Sequence, residues 1–235
     1  MCYSNSSTSS NIQLAQRYKR NIPDSLPETP IFFASGFQFP TWRVITSNES
    51  IEVMNWGLIP HWYKRNDTSA IAANTLNAKI ETLTEKASFR QLVDRNRCIV
   101  PSTGFFEWQT MQKRKIPFFI FPTSDSVFSM AGLMDQWMMN DGSVKKSFTI
   151  ITCQANELMS EIHNTKKRMP VVLRKEQEEN WLTGKLTLDA LEVPFPSEWM
   201  NVREVNKSLI GGKNPNDPAV QQPFDNGFFA QASLF

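Results

Sequence analysis

The residue with the richest chemistry in this sequence is Cys2, which directly follows the initiator methionine. Removal of that methionine would give Cys2 two nucleophiles, an α-amine with a pKa of about 7.7–8.0 and a thiol with a pKa of about 8.5. Such an aminothiol can attack an aldehyde through its amine and then close a five-membered thiazolidine ring through its sulfur. A frayed terminus without a role is the competing interpretation, and only the residues downstream favour chemistry.

Glu107 and His163 have side chains suited to moving protons. Glu107 lies in the segment Gly-Phe-Phe-Glu-Trp at 104–108, where aromatic neighbours would desolvate the carboxylate and raise its pKa toward the range useful for acid–base catalysis. His163 ends a predicted helix and opens a basic turn, so it could shuttle protons near neutral pH. Each also has an ordinary explanation. Glu107 could be a surface residue that alternates with core Phe, and His163 could be a partner of the helix dipole.

Residues that could hold a nucleic acid are found in three further segments. Alternation along 75–82 puts Asn77, Lys79 and Glu81 on one face of an extended stretch, where they could position a phosphodiester or a sugar oxygen. Exposed indole rings would stack on unpaired bases, and cations in a turn would hold phosphates. The candidates of these two kinds are Trp56, Trp62, Lys167 and Arg168. Each segment has a competing interpretation. The face of 75–82 could be the solvent-exposed side of an ordinary strand, the two Trp could form a packed corner, and the cations could lie in solvated loops.

The elements that must position these residues are mainly strands. Residue type and alternation predict strands at 42–46, 51–56, 97–100, 117–121, 127–133 and 147–153. Helical spacing predicts helices at 11–19, 84–94, 156–162 and 175–182. This content predicts a single domain over 1–235, with a sheet curled on itself or a partial barrel. The segment from about residue 211, rich in Asn, Pro, Gln and Gly, is predicted to be irregular.

Composition excludes several classes of protein. With 235 residues, of which 40% are hydrophobic, the chain can bury a sizeable core and is not disordered. It shows no long apolar run and no secretory signal, so we expect a soluble cytoplasmic protein. Three Cys without regular spacing and only two His predict neither a disulfide framework nor a metal site. The net charge of +2 does not by itself indicate a nucleic acid, although cations cluster at 64–65, 113–115, 145–146 and 166–168.

Five blocks of sequence contain most of the candidate residues. They are Met-Cys at 1–2, Trp-Gly-Leu-Ile-Pro at 56–60, Asn-Ala-Lys-Ile-Glu-Thr at 77–82, Gly-Phe-Phe-Glu-Trp at 104–108, and Ile-His at 162–163 with Arg-Met-Pro-Val-Val-Leu at 168–173. In this order the blocks resemble the SRAP family, the SOS response-associated peptidases or abasic-site processing proteins. A weaker similarity at 205–206 extends the resemblance over most of the chain. The resemblance implies a compact α+β fold, with a barrel-like, mainly antiparallel β-sheet core and peripheral helices.

The resemblance also implies a function and roles for the candidate residues. It implies a protein that recognises abasic sites in single-stranded DNA and links itself to them covalently, with strand cleavage as a side reaction. By resemblance Cys2 supplies the amine and the thiol, and Asn77 orients the reacting end. Glu107 and His163 would manage protons at the amine and at the opening sugar. No metal or cofactor is implied, and we expect a monomer that binds single-stranded DNA, associated with the nucleoid if the source is bacterial.

The sequence departs from the family pattern at two positions, and two rival functions stay open. Tyr3 and Ser4 stand where many members have Gly-Arg, and Lys79 stands where many have Arg, so a bidentate phosphate contact becomes a point charge. The first rival is a thiol peptidase with Cys2 as nucleophile and His163 as base. The second is a non-covalent binding module for single-stranded nucleic acid.

Overall fold

The computed structural model describes residues 2–224, and all structural statements concern these residues. The strands are β1 (Ser4–Ser7), β2 (Ile31–Ser35), β3 (Thr41–Val44), β4 (Glu52–Trp56), β5 (Asn77–Lys79), β6 (Arg97–Ser102), β7 (Gly104–Met111), β8 (Arg114–Pro122), β9 (Phe128–Met138), β10 (Val144–Gln154), β11 (Arg168–Pro170), β12 (Val172–Leu173) and β13 (Met200–Glu204). The α-helices are α1 (Asn11–Tyr18), α2 (Ser69–Asn74), α3 (Glu157–Ile162), α4 (Lys175–Leu182) and α5 (Lys207–Ile210). Short 3₁₀ helices occupy Gly36–Gln38, Ile80–Thr82, Asp189–Leu191, Ser197–Trp199 and Pro218–Gln221.

The strands form two sheets. The first has the order β13-β8-β7-β1-β2, and all of its pairings are antiparallel. The second has the order β12-β9-β10-β4-β3, with β6 paired to β9 and with β5 and β11 paired to β10. Only β4 and β5 run parallel to their described partner β10. The predicted α+β class with mainly antiparallel strands is therefore confirmed, but within residues 2–224 the two sheets do not close into a barrel.

The second sheet forms most of the core because its central strands are buried on both faces. Along β10 the seven residues from Ser147 to Cys153 are all buried. Buried and exposed side chains therefore do not alternate along this part of the strand, as is typical of a strand covered on both faces. The indole of Trp56 lies inside this core, stacked on Phe148 with the ring centroids 6.4 Å apart. Its Nε1–H donates to the Leu76 carbonyl at 2.8 Å, which satisfies the one polar group of the buried ring.

Most predicted elements are present, with shifted ends. All six predicted strands correspond to observed strands, and the helices expected at 11–19, 156–162 and 175–182 are α1, α3 and α4. The helix expected at 84–94 is wrong, because the segment forms successive turns with hydrogen bonds such as Phe89 N–H to the Lys86 carbonyl. Three buried side chains, Phe89, Leu92 and Val93, give the turns a helix-like spacing without a continuous helix.

The last described part of the chain, residues 211–224, has little regular structure. From residue 211 to residue 224 the described chain contains one 3₁₀ helix, Pro218–Gln221. The rest of the segment predicted to be irregular, 225–235, lies outside the described residues. None of the helices in residues 2–224 is long and apolar enough to cross a membrane.

Candidate active site around Cys2

Cys2 lies at the junction of the two sheets. It is two residues before β1 of the first sheet, and β5 of the second sheet contacts it. β1 pairs with β7 through Ser4 opposite Phe106, and the Cys2 side chain is fully buried. The amide of Asn77, at the start of β5, donates to the Cys2 carbonyl at 2.9 Å. Residues 75 positions apart in sequence are thereby joined at the predicted nucleophile.

Glu107 is the carboxylate that β7 places beside this junction. Because Ser4 is opposite Phe106, the antiparallel register continues toward Cys2 as β7 continues toward Glu107. Glu107 is only 6% exposed, and burial raises the pKa of its carboxyl from an ordinary 4.5 to about 7. The charge of Glu107 also raises the pKa of the Cys2 thiol, which places the two side chains within electrostatic reach of each other. A buried acid with this pKa can both donate and accept a proton at neutral pH.

His163 follows α3 and brings a second proton-transfer group to the same place. Its Nδ1 lies 2.9 Å from the Arg168 carbonyl, so that nitrogen carries the proton and donates it, and Nε2 is the acceptor of the neutral ring. The same Nδ1 is 3.9 Å from Glu107 Oε2. Burial lowers the pKa of His163, which favours the neutral ring at pH 7.

Two hydrogen-bonding side chains tie the strand of Glu107 to the turn of His163. Asn164 accepts from the Thr110 N–H at 3.1 Å through Oδ1 and donates to the Thr110 carbonyl at 2.8 Å through Nδ2. Gln109 Nε2 donates to the Glu161 carbonyl at 3.0 Å. These bonds join β7 to both sides of His163, so they fix the separation of the two proton-transfer groups.

The site also contains an acceptor that has no donor. Asn77 Oδ1 is buried and makes no hydrogen bond within the described chain, while its Nδ2 is used by the Cys2 carbonyl. A buried unpaired acceptor is costly, by about 1–3 kcal/mol, and such atoms concentrate at functional sites. An amine or a hydroxyl brought to Cys2 would satisfy it.

Comparison with known proteins identifies the family of this chain. The family model described as SOS response associated peptidase (SRAP) matches residues 1–210. The chain belongs to the SRAP family. Among curated proteins, the abasic site processing protein YoqW of Bacillus subtilis is 37% identical over 210 residues, which are 85% of this chain and 90% of the relative. The abasic site processing protein HMCES of Pongo abelii is 33% identical over 211 residues, covering 77% of this chain and 58% of HMCES.

Solved structures show the same SRAP fold. The crystal structure of a protein from Bacteroides thetaiotaomicron matches with a TM-score of 0.89 and 37% identity, over 95% of this chain and 100% of that one. A protein from Bordetella bronchiseptica matches with a TM-score of 0.74 at 20% identity, over 87% of this chain and 100% of that one. The second match concerns the fold alone.

The structure divides the residues predicted to contact DNA into two groups. Lys79 and Lys167 are exposed, and Trp62 is 40% exposed, so these three side chains are available at the surface. Trp56 is wrong as a stacking residue, because its ring has no exposed surface and packs in the core. Arg168 also needs correction as a phosphate contact, since its guanidinium is buried against Glu81 and donates to the Thr152 carbonyl at 2.6 Å. Arg168 instead holds the turn that orients His163.

Sequence reasoning missed Asn164 and Gln109 as members of the site. Asn164 directly follows His163, and Gln109 lies two residues after Glu107, so both are close to motifs that were recognised. Their hydrogen-bond partners, however, are main-chain groups 54 and 52 positions away in sequence. No local residue pattern predicts pairs of this kind. The available signal was weak: two polar amides, each adjacent to a predicted catalytic residue.

Proposed function

We propose that this protein recognises abasic sites in single-stranded DNA and links itself to them covalently through Cys2. The support is the convergence on one buried nucleophile of an amide at 2.9 Å and a carboxyl whose pKa is about 7. The SRAP relatives YoqW and HMCES are both named abasic site processing proteins, which favours this substrate. The proposal requires loss of Met1, because the α-amine of Cys2 is otherwise an amide nitrogen without nucleophilic power.

The first chemical step is the opening of the abasic sugar. An abasic deoxyribose is mainly a closed hemiacetal, so its ring oxygen must gain a proton and its anomeric hydroxyl must lose one before the aldehyde appears. Glu107 with a pKa of about 7 is present in both protonation states near neutral pH, and neutral His163 offers Nε2 as an acceptor. Together the two side chains supply the donor and the acceptor that ring opening needs.

The second step joins the protein to the sugar. The neutral α-amine of Cys2 attacks the aldehyde carbon, Glu107 takes up the proton released by nitrogen, and loss of one water gives the Schiff base. Addition of the Cys2 thiol to the imine carbon then closes the thiazolidine, with the thiol proton passing to nitrogen. The adduct therefore has the mass of protein plus DNA minus one water. If the thiol does not add, abstraction of the acidified sugar proton expels the 3′ phosphate, so strand cleavage is the side reaction.

We assign binding of the strand to three exposed side chains. Trp62 would stack on an unpaired base, and Lys79 and Lys167 would contact phosphates. Affinity should then fall steeply with salt and should be weaker for an intact duplex, whose bases are already stacked. Equal affinity for duplex and single strand at the same salt would contradict this part of the proposal.

A thiol peptidase is the weaker candidate for the same residues. Catalytic cysteines react as thiolates and lie where a positive charge lowers the pKa of the thiol. Here burial and the charge of Glu107 raise the pKa of the Cys2 thiol instead. A neutral thiol is a poor nucleophile toward a peptide bond, whereas the carbon of a protonated imine is electrophilic enough to accept it. Removal of Met1 could be autocatalytic or performed by an aminopeptidase.

The experiment is incubation with a single strand that bears one abasic site, followed by a denaturing gel and intact-mass measurement. We expect wild type to lack Met1 and to form a durable adduct at the mass of the sum minus one water. Cys2→Ala should lose the durable adduct but keep a Schiff base that borohydride traps. Cys153→Ala, which removes another buried thiol, is the matched control and should react as wild type does. Retention of Met1, or a durable adduct with Cys2→Ala, would refute the mechanism.

A further inference from the structure

An open groove of about 590 Å³ lies outside the active site, along the tip of the β7–β8 hairpin. Four of its lining residues are cations: Lys113, Arg114, Lys115 and Lys207. The first three are consecutive and exposed, and none of the four forms an ion pair within residues 2–224. The groove has a single acidic lining residue, Glu204, whose pKa is raised by burial.

Within residues 2–224, part of the strand edge that lines this groove is unpaired. β13 accompanies β8 only from Phe118 to Pro122, and the chain then leaves the sheet through α5. In the described chain the outer edge of β8 over 114–116 is therefore without a partner strand. Its main-chain N–H groups add donors to the side-chain cations, and both kinds of group suit phosphate oxygens.

The hairpin is held rigidly beside the active site. Its base carries Glu107, and the bonds from Asn164 to Thr110 anchor its middle to the turn of His163. Lys115 is the ladder partner of Thr110, which is three residues, or about 10 Å, along β7 from Glu107. The charge of Lys115 contributes to lowering the pKa of Glu107, so the groove begins within electrostatic reach of the site.

We propose that this basic groove binds the sugar–phosphate backbone of the DNA strand on one side of the abasic nucleotide. The inference rests on the proposed function for the identity of the strand, but the groove itself is defined by charge, exposure and a rigid connection to Glu107. Phosphates in the groove would keep the strand from sliding while the sugar reacts at Cys2. Because contacts to phosphate carry no sequence information, the groove would act on any flanking sequence.

The test is a triple variant, Lys113→Gln, Arg114→Gln and Lys115→Gln, compared with a control of equal charge change. The control replaces Lys86, Lys185 and Lys213, which are exposed and do not line the groove. Dissociation constants are measured by fluorescence anisotropy across a range of salt, using single strands with one tetrahydrofuran abasic-site analogue, which has no aldehyde, so that the covalent step does not contribute. The strands are either short and centred on the site, or extended on the 5′ side or the 3′ side.

In a plot of the logarithm of the association constant against the logarithm of the salt concentration, we expect the groove variant to have a slope smaller in magnitude by about 2. Each single-strand phosphate contact contributes about 0.7 to this slope, and the variant loses three cations. The loss should appear for strands extended on one side only, and the control variant should keep the wild-type slope. An equal loss in the control, an equal loss on both sides, or an unchanged slope would overturn the inference. Wild-type affinity combined with aggregation of the groove variant would show instead that the cations protect a bare strand edge, which also overturns it. Failure of the proposed function would appear separately, as absence of the covalent adduct in wild type.

Discussion

Replacement of Glu107 by glutamine should stabilise the protein at neutral and alkaline pH while it slows the chemistry. The amide has nearly the shape of the carboxyl but never ionises. In wild type the carboxyl is buried, and its pKa stands near 7 against an ordinary 4.5. The folded protein therefore holds the proton more tightly than the unfolded chain does, and ionisation of Glu107 costs folding free energy.

The sign and size of this effect follow from the two pKa values. Between about pH 4.5 and pH 7 the folded state binds more protons than the unfolded state, so wild-type stability falls as pH rises through that window. Each pKa unit corresponds to about 1.4 kcal/mol, so the fall approaches about 3 kcal/mol and is complete slightly above pH 7. The free energy of unfolding of Glu107→Gln, relative to that of wild type, should therefore rise by about 3 kcal/mol between pH 4.5 and pH 8.

Urea denaturation of both proteins at half-unit steps of pH measures this difference, and the comparison cancels all groups common to them. Glu81→Gln is the control, because its difference in stability from wild type should change with pH in the opposite direction. Hydrogen bonding to Arg168 lowers the pKa of Glu81, so its contribution to wild-type stability is present above the unfolded value and lost as pH falls. The reasoning is refuted if the difference between wild type and Glu107→Gln is flat with pH, or if it shrinks as pH rises.

Three further substitutions test the site and its support. Asn164→Ala removes two of the three hydrogen bonds that tie β7 to the chain around His163, so the rate of adduct formation should fall severalfold, with a displaced inflection in its pH–rate profile. An unchanged profile would leave Asn164 without a positioning role. Gly104→Ala puts a methyl group 2.6 Å from the Ile120 carbonyl oxygen and should cost about 1–3 kcal/mol in urea denaturation. Trp62→Ala should weaken single-strand binding by about 1–3 kcal/mol in anisotropy titrations without loss of stability, and unchanged affinity would exclude stacking there.

Local sequence patterns predicted elements well where one physical cause acted within a few residues. The helix predicted at 175–182 has the observed ends. It ends there because Gly184 follows with a φ of +78°, a backbone conformation that glycine adopts easily and other residues resist. The segment 84–94 shows the limit of the same reasoning. Its buried side chains repeat as in a helix, but its bonds span three residues in several places, and side-chain periodicity cannot distinguish the two.

The chemistry of the site was readable from residue types, but its geometry was not. A Cys behind Met, a Glu among aromatic residues and a His before cations have recognisable reactivity wherever they are placed. In sequence Trp56 and Trp62 look equivalent on either side of the 57–60 segment, although Trp56, the last residue of β4, is fully buried and Trp62 is 40% exposed. What separates them is the position of β10, whose Phe148 stacks on Trp56 from a part of the chain far away in sequence. The burial of a side chain at a strand end is decided by such distant partners.

The raised pKa of Glu107 suits both the formation and the release of the proposed covalent link at Cys2. An ordinary glutamate and an α-amine differ by more than three pKa units, so moving a proton from the ammonium to the carboxylate would cost about 5 kcal/mol. With the carboxyl near 7, the same transfer to Glu107 costs about 1 kcal/mol, and its reverse is equally accessible. The amine is then easily freed for attack, and nitrogen is easily reprotonated when the ring reopens. Burial of Glu107 thus reduces stability and, by the same physical effect, would bring the proton donor and acceptor into balance for the proposed reversible chemistry at Cys2.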